Sequence, residues 1–81
     1  MTHRSLLIHL AEEGGEVTQA ALKLDRFGTP TDTRNLECEV GDLLSFVDLL
    51  VKRGVLNRDS INEHRKMKFK KYKEMYKGVK S

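Results

Sequence analysis

Five carboxylates fall into two short groups at helical spacing. The stretch "AEEGGEV" carries Glu12, Glu13 and Glu16, and the stretch "LECEVGDLL" includes Glu39 and Asp42. Side chains three residues apart lie on the same face of a helix, so Glu13 pairs with Glu16 and Glu39 pairs with Asp42. Two such pairs on packed antiparallel helices would bring four carboxylates together. Hard oxygen ligands of this kind predict a site for Mg²⁺, with Mn²⁺ as the alternative.

The apolar neighbours of these carboxylates indicate that they face inward. At about 100° per residue, Glu13 lies at the edge of the apolar stripe of its helix. Glu39 lies on a column that continues through large apolar side chains, namely Leu43, Phe46 and Leu50. A carboxylate held away from water becomes protonated or needs a cationic partner, and a divalent cation would compensate several at once. A di-iron bundle is disfavoured because its Glu-x-x-His pairs are absent from the sequence.

Helices must position these side chains. Apolar residues recur at helical spacing and no alternating strand pattern occurs, so the sequence predicts an all-α fold with three helices in a single domain, residues 1–81. We expect the helices at about residues 2–27, 33–53 and 58–77. The predicted apolar stripes are Leu6, Leu10, Val17, Ala21 and Leu24 on the first helix, and Leu36, Val40, Leu43, Val47, Leu50 and Val51 on the second.

Turn-forming residues mark where the helices begin and end. The stretch "FGTPTDT" contains the only proline, Pro30, and is the clearest break in the chain. Either Asp32 or Thr33 is expected to cap the second helix, and either Asn57 or Asp59 the third.

Composition and charge narrow the class of protein. Residues 1–57 carry 6 Lys/Arg against 9 Asp/Glu, whereas residues 58–81 carry 9 against 3. Cys38 is the only cysteine, which excludes a disulfide within the chain. No secretory leader opens the sequence, and the longest apolar run is too short to span a membrane. We therefore expect a soluble, cytoplasmic protein without a membrane partner.

The two acidic motifs resemble those of a known family. "LAEEGGEV" followed by "LECEVGDLLSFV" is similar to the Glu-Glu-x-x-Glu and Glu-x-x-Asp helices of the MazG-like, all-α nucleoside triphosphate pyrophosphohydrolases. The resemblance covers about residues 6–52. It implies a Mg²⁺-dependent enzyme that hydrolyses a nucleoside triphosphate to the monophosphate and pyrophosphate.

The resemblance also implies roles for individual residues. Four carboxylates become metal ligands: Glu13, Glu16, Glu39 and Asp42. The general base that accepts a proton from the attacking water is Glu12, or whichever carboxylate is not fully committed to the metal. In the third helix, Lys68 is the first choice for binding the substrate phosphates, followed by Lys71 and Tyr72. The preferred base and sugar are not indicated by any of these residues.

Family members usually carry a further helix before the first acidic motif, and this chain begins almost at that motif. The resemblance then implies that another subunit supplies the missing wall or that the base is held loosely. Three amphipathic helices independently favour assembly into an oligomeric, four-helix-type bundle, as a homodimer or homotetramer.

Two other classes of function remain open. The chain could be a non-catalytic helical interaction module, or it could bind nucleic acid through its basic third helix. The basic residues of that helix point in nearly every direction rather than forming one stripe, which disfavours nucleic acid. Four carboxylates beside apolar columns disfavour a module without a metal site.

Overall fold

The computed structural model describes residues 3–78, and the side chains of residues 5–78. This part of the chain forms three helices and no strand: α1 (His3–Phe27), α2 (Pro30–Lys52) and α3 (Arg58–Met75). The predicted all-α fold is confirmed. The expected start of the first helix at residue 2, and residues 1, 2 and 79–81 of the predicted domain, lie outside the described residues.

A two-residue link turns the chain between α1 and α2. Gly28 adopts a φ of 64° and donates its N–H to the Leu24 carbonyl at 2.8 Å, which ends α1. Thr29 then caps α2: its hydroxyl oxygen accepts from the Asp32 N–H at 3.1 Å, and the Asp32 carboxylate accepts from the Thr29 N–H at 3.3 Å. Pro30 follows at the first helical position, where a missing N–H costs nothing.

The prediction that Asp32 or Thr33 caps α2 is therefore wrong. The helix begins three residues before the expected start because Thr29 and Asp32 together satisfy the free N–H groups of its first turn. Asp32 belongs to that capping pair as the third residue of the helix.

The connection from α2 to α3 is equally well specified. Gly54 adopts a φ of 76°, and the Val55 N–H donates to the Leu50 carbonyl at 2.9 Å, which closes the last turn of α2. Asn57 caps α3 by accepting from the Ser60 N–H at 3.0 Å. This resolves the choice between Asn57 and Asp59. The helix ends at Met75, two residues before its predicted end.

The first two helices pack antiparallel as a hairpin. Successive contacts across it join His9 to Phe46 and Glu16 to Glu39, so the numbering rises along α1 as it falls along α2. Three apolar side chains are buried along the seam: Leu6, Ala20 and Leu50. Ala20 is buried, whereas Ala21, which was predicted in the stripe, is exposed; the other predicted stripe residues of α1 are buried or half-buried, namely Leu6, Leu10, Val17 and Leu24.

The third helix contributes little to this core. No residue of α3 is buried, and the packing between helices in the described part is mainly that of α1 on α2. The radius of gyration is 14.9 Å, against about 12 Å for a compact domain of this length. An ion pair of 2.6 Å between Arg58 and Asp48 joins the start of α3 to α2. Within residues 3–78, no helix has the length and apolar character needed to cross a membrane.

The hairpin has two faces. The carboxylate face carries Glu13, Glu16, Glu39 and Asp42. At about 100° per residue, four exposed apolar side chains lie on the opposite side of both helices, and we call this side the apolar face: Leu7, Leu22, Val40 and Leu44.

Candidate metal centre

Three of the predicted ligands meet between the two helices. One carboxylate oxygen from each of Glu13, Glu39 and Asp42 lies within 4.8 Å of the others. Glu13 comes from α1, whereas Glu39 and Asp42 lie one turn apart on α2. Three carboxylate oxygens this close together could serve as ligands of a single divalent cation.

The His9 ring contacts the Glu13 side chain and is itself held by a second ring. His9 Nε2 lies 3.2 Å from Glu13 Oε1, one turn along the same helix. The His9 ring packs against Phe46 of α2, with centroids 4.2 Å apart and planes tilted by 40°. His9 therefore links the carboxylate of α1 to the aromatic side chain of α2, which restricts the rotamers of Glu13.

The second oxygen of two carboxylates has no partner. Oε2 of Glu13 and Oε2 of Glu39 are shielded from solvent, and no hydrogen bond to either occurs among the described residues. Leaving a buried polar atom without a partner is unfavourable, and more so for a charged one. A divalent cation would compensate both oxygens, and an all-carboxylate donor set suits Mg²⁺ or Mn²⁺. The residues present therefore fit the metal that the sequence predicts.

Electrostatics at Glu39 point the same way. The pKa of Glu39 is raised above its ordinary value of 4.5, first by the hydrogen bond that its protonated carboxyl makes with Glu16. Burial raises this pKa further, as do the negative charges of Glu16, Asp42 and Glu13. Without a cation, the carboxylates repel one another, and protonation is the means by which the cluster lowers its charge.

The remaining two predicted carboxylates lie in different surroundings. Glu16 lies near enough to Glu39 to raise the pKa of that carboxyl and lines the same groove, but it is outside the group of three whose oxygens converge. Glu12 is exposed and also lies outside that group. The structure thus joins Glu13, Glu39 and Asp42 and places Glu16 beside them. Of the five carboxylates, Glu13 and Glu39 are half-buried, and the other three are exposed.

Two grooves adjoin the carboxylates on the same face of the hairpin. The polar groove, of about 360 Å³, runs toward the α1–α2 link and is lined by Glu16, Gln19, Ala20, Lys23, Asp32, Asn35, Cys38 and Glu39. The open groove, of about 450 Å³, runs toward the other end of the hairpin and is lined by Glu13, Asp42, Ser45, Phe46 and Leu49. Each groove contains one pair of the predicted metal ligands, so the carboxylates lie where the two grooves meet.

The predicted substrate-binding residues of α3 line neither groove. Lys68 is half-buried, and its Nζ lies 6.0 Å from the centroid of the Tyr72 ring. Lys71 is exposed. The structure therefore does not place these three beside the carboxylates in either groove.

The structure adds residues that the sequence reasoning did not single out. Gln19, Lys23 and Asn35 line the polar groove beside Glu16 and Glu39. Their spacing contains the signal: Gln19 and Lys23 follow Glu16 by three and seven residues, and Asn35 precedes Glu39 by four. Extending each acidic motif along its own helical face would have found all three.

Comparison with protein-family models, with curated proteins and with solved structures gives no match for this chain. The candidate site is therefore interpreted from its own residues and geometry.

Proposed function

We propose that this protein is a Mg²⁺-dependent nucleoside triphosphate pyrophosphohydrolase of the MazG-like type, acting in the cytoplasm. One observation carries the proposal: Glu13 and Glu39, which each hold a buried, unpartnered oxygen, converge with Asp42 in one cluster of carboxylates. Asp42 is exposed, but Glu13 and Glu39 are half-buried, and an uncompensated charge on either of these two would lower the stability of the metal-free fold.

The chain's own residues account for the steps of hydrolysis. Glu13, Glu39 and Asp42 hold the ion, and Glu16 is the fourth ligand proposed from the sequence resemblance. When bound, Mg²⁺ neutralises phosphate charge and favours ionisation of water. Glu12, exposed on α1, accepts the proton of the water that attacks the α-phosphorus. The bond to the bridging oxygen breaks, and the products are a nucleoside monophosphate and pyrophosphate.

The apolar face supports assembly with a second copy. Exposed Leu7, Leu22 and Leu44 form an apolar surface of the kind that marks protein–protein interfaces. Gly41 lies inside α2 although a Cβ there would meet no atom within 4 Å. Since glycine costs about 1 kcal/mol against alanine in a helix, close approach by another helix gives it a reason. Two hairpins packed through this face would form a four-helix bundle and leave both carboxylate faces open.

Turnover of a nucleotide panel tests the proposal directly. The purified protein is incubated with Mg²⁺ and each ribo- and deoxyribonucleoside triphosphate, and monophosphate and pyrophosphate are measured. We expect equimolar release of both products from at least one nucleotide, and loss of release when a chelator is added. Glu39→Gln should reduce turnover by about 100-fold or more, because it removes one charged ligand from the cluster.

Glu37→Gln is the matched control. Glu37 is an exposed glutamate on the same helix, two residues away and outside the cluster, so its substitution should leave turnover unchanged. Absence of turnover with every nucleotide would refute the proposed enzyme. If salt-sensitive binding of DNA or RNA appeared instead, the basic third helix would be the functional element.

A further inference from the structure

We propose that the polar groove binds the nucleobase of the substrate and that the amide side chains of Gln19 and Asn35 select among bases. This inference rests on the proposed pyrophosphohydrolase function and adds to it the place and chemistry of substrate discrimination. It assigns the groove to a neutral, hydrogen-bonding group rather than to the triphosphate.

The position of the groove supports this assignment. Glu16 and Glu39 line its inner end, so a nucleotide whose phosphates lie at the carboxylates can extend into it. Its volume of about 360 Å³ is in the range of small-molecule sites. The groove lies between the two helices, with Gln19 on the α1 wall and Asn35 on the α2 wall.

The two amides are available to a ligand. Among the described residues, no hydrogen bond engages the side chain of either Gln19 or Asn35, whereas Asp32 in the same groove accepts from both the N–H and the hydroxyl of Thr29. An amide offers a donor and an acceptor side by side, which matches the edge of a nucleobase. Lys23 adds a donor without an acceptor.

The charge of the groove disfavours phosphate. Three carboxylates line it, those of Glu16, Asp32 and Glu39, against the single ammonium of Lys23. A polyphosphate lying along this groove would meet a net negative wall, whereas an uncharged base would not. The open groove is also lined by two carboxylates, but no amide side chain lines it, and Phe46 and Leu49 form part of its wall. It provides apolar contact without a means of reading the edge of a base.

Cys38 reports occupancy of the polar groove without any turnover. This thiol is exposed and lines the groove, and it is the only cysteine of the chain. Its alkylation by N-ethylmaleimide is followed in Mg²⁺ with each nucleoside monophosphate. At ten times the dissociation constant of the preferred monophosphate, the rate should fall about tenfold, since about nine-tenths of the protein is occupied. Inorganic tripolyphosphate, which has no base, should leave the rate unchanged.

Selectivity gives the second measurement. The value of kcat/KM is determined for each nucleoside triphosphate with Gln19→Leu, with Asn35→Leu and with Ser45→Ala. Either amide variant should change the ratio of kcat/KM between the best and the worst nucleotide by about 5- to 150-fold. This is the range expected for a bidentate amide–base contact. Ser45→Ala alters the open groove and should leave that ratio unchanged. Circular dichroism checks that each variant is folded.

The outcomes separate the two proposals. A wild-type protein that hydrolyses nucleotides but shows no protection of Cys38, or whose amide variants slow all nucleotides equally, refutes the base-binding groove and leaves the enzyme intact. A change of base ratio in Ser45→Ala and not in the amide variants would assign the base to the open groove. If the wild-type protein hydrolyses no nucleotide and no monophosphate protects Cys38, both proposals fail.

Discussion

The carboxylate face and the apolar face belong to the same two helices and differ in what they leave unsatisfied. On the carboxylate face, the shielded Oε2 atoms of Glu13 and Glu39 have no hydrogen-bond partner among the described residues. On the apolar face, Leu22 and Leu44 each leave 59% of their surface in solvent. Within residues 3–78, nothing pairs with the two oxygens and nothing covers the apolar side chains. The proposed cation would answer the first need, and the proposed second copy would answer the other.

The seam between the faces is the only well-packed part of the hairpin in the described chain. Leu6 and Leu50 are almost completely buried there, at 2% and 0% exposure. Because so few side chains are buried, each contributes a large fraction of the stability, and a small chain of this kind usually needs a further source of stabilisation. A bound cation and a second copy are the two sources that the faces favour.

Removing a seam side chain should have the largest effect. Leu50→Ala leaves a cavity at a fully buried position, and we expect a loss of about 2 to 5 kcal/mol in the free energy of unfolding. Urea denaturation followed by circular dichroism measures it. Lys52→Ala, exposed near the end of the same helix, should change stability by less than about 0.5 kcal/mol. Similar losses in the two variants would show that the seam does not hold the hairpin.

Parts of this arrangement could be predicted from the sequence. Helical spacing predicted three helices and brought Glu13, Glu39 and Asp42 to one face, because periodicity reports which side of a helix is buried. It predicted Ala21 in the stripe where Ala20 is buried, since a 100° step does not resolve neighbouring positions at the edge of a stripe. Exact rotation depends on how α1 and α2 interlock, and one helix does not contain that information.

The third helix shows a different limit. It was predicted to be amphipathic, yet its apolar residues Phe69 and Tyr76 are 67% and 60% exposed. The amphipathic pattern of α3 indicates that one side of the helix packs against something, but it does not identify the packing partner. The resemblance likewise led to Lys68 as the substrate-binding lysine, whereas Lys23, which does line the polar groove, was not singled out.

A charge on the apolar face should disrupt assembly, with an intermediate effect. Leu44→Glu places a carboxylate where a second copy would bury a leucine, so the dissociation constant of the dimer should rise at least about tenfold. Sedimentation equilibrium across a range of concentrations measures it. The matched control is Leu49→Glu, the same change at an exposed leucine of the open groove, which should leave the mass unchanged. A wild-type protein that stays monomeric throughout would show that a second copy does not cover the apolar face.

The smallest effect that we expect concerns the pH dependence of the metal-free protein. Because the pKa of Glu39 is raised in the folded state, folding retains a proton that the unfolded chain releases above about pH 4.5. The contribution of Glu39 to stability is therefore fully present below pH 4.5 and is lost as the pH rises through the raised pKa. In chelator, the Tm of Glu39→Gln minus the Tm of the wild type should increase as the pH rises above 4.5. The same difference for Glu37→Gln should stay constant. Mg²⁺ should raise the wild-type Tm at neutral pH and have less effect on Glu39→Gln, because that variant has lost a charged ligand. Parallel Tm curves in chelator would mean that the Glu39 charge is already compensated within the chain, and the unpartnered oxygens would then cease to be an argument for a cation.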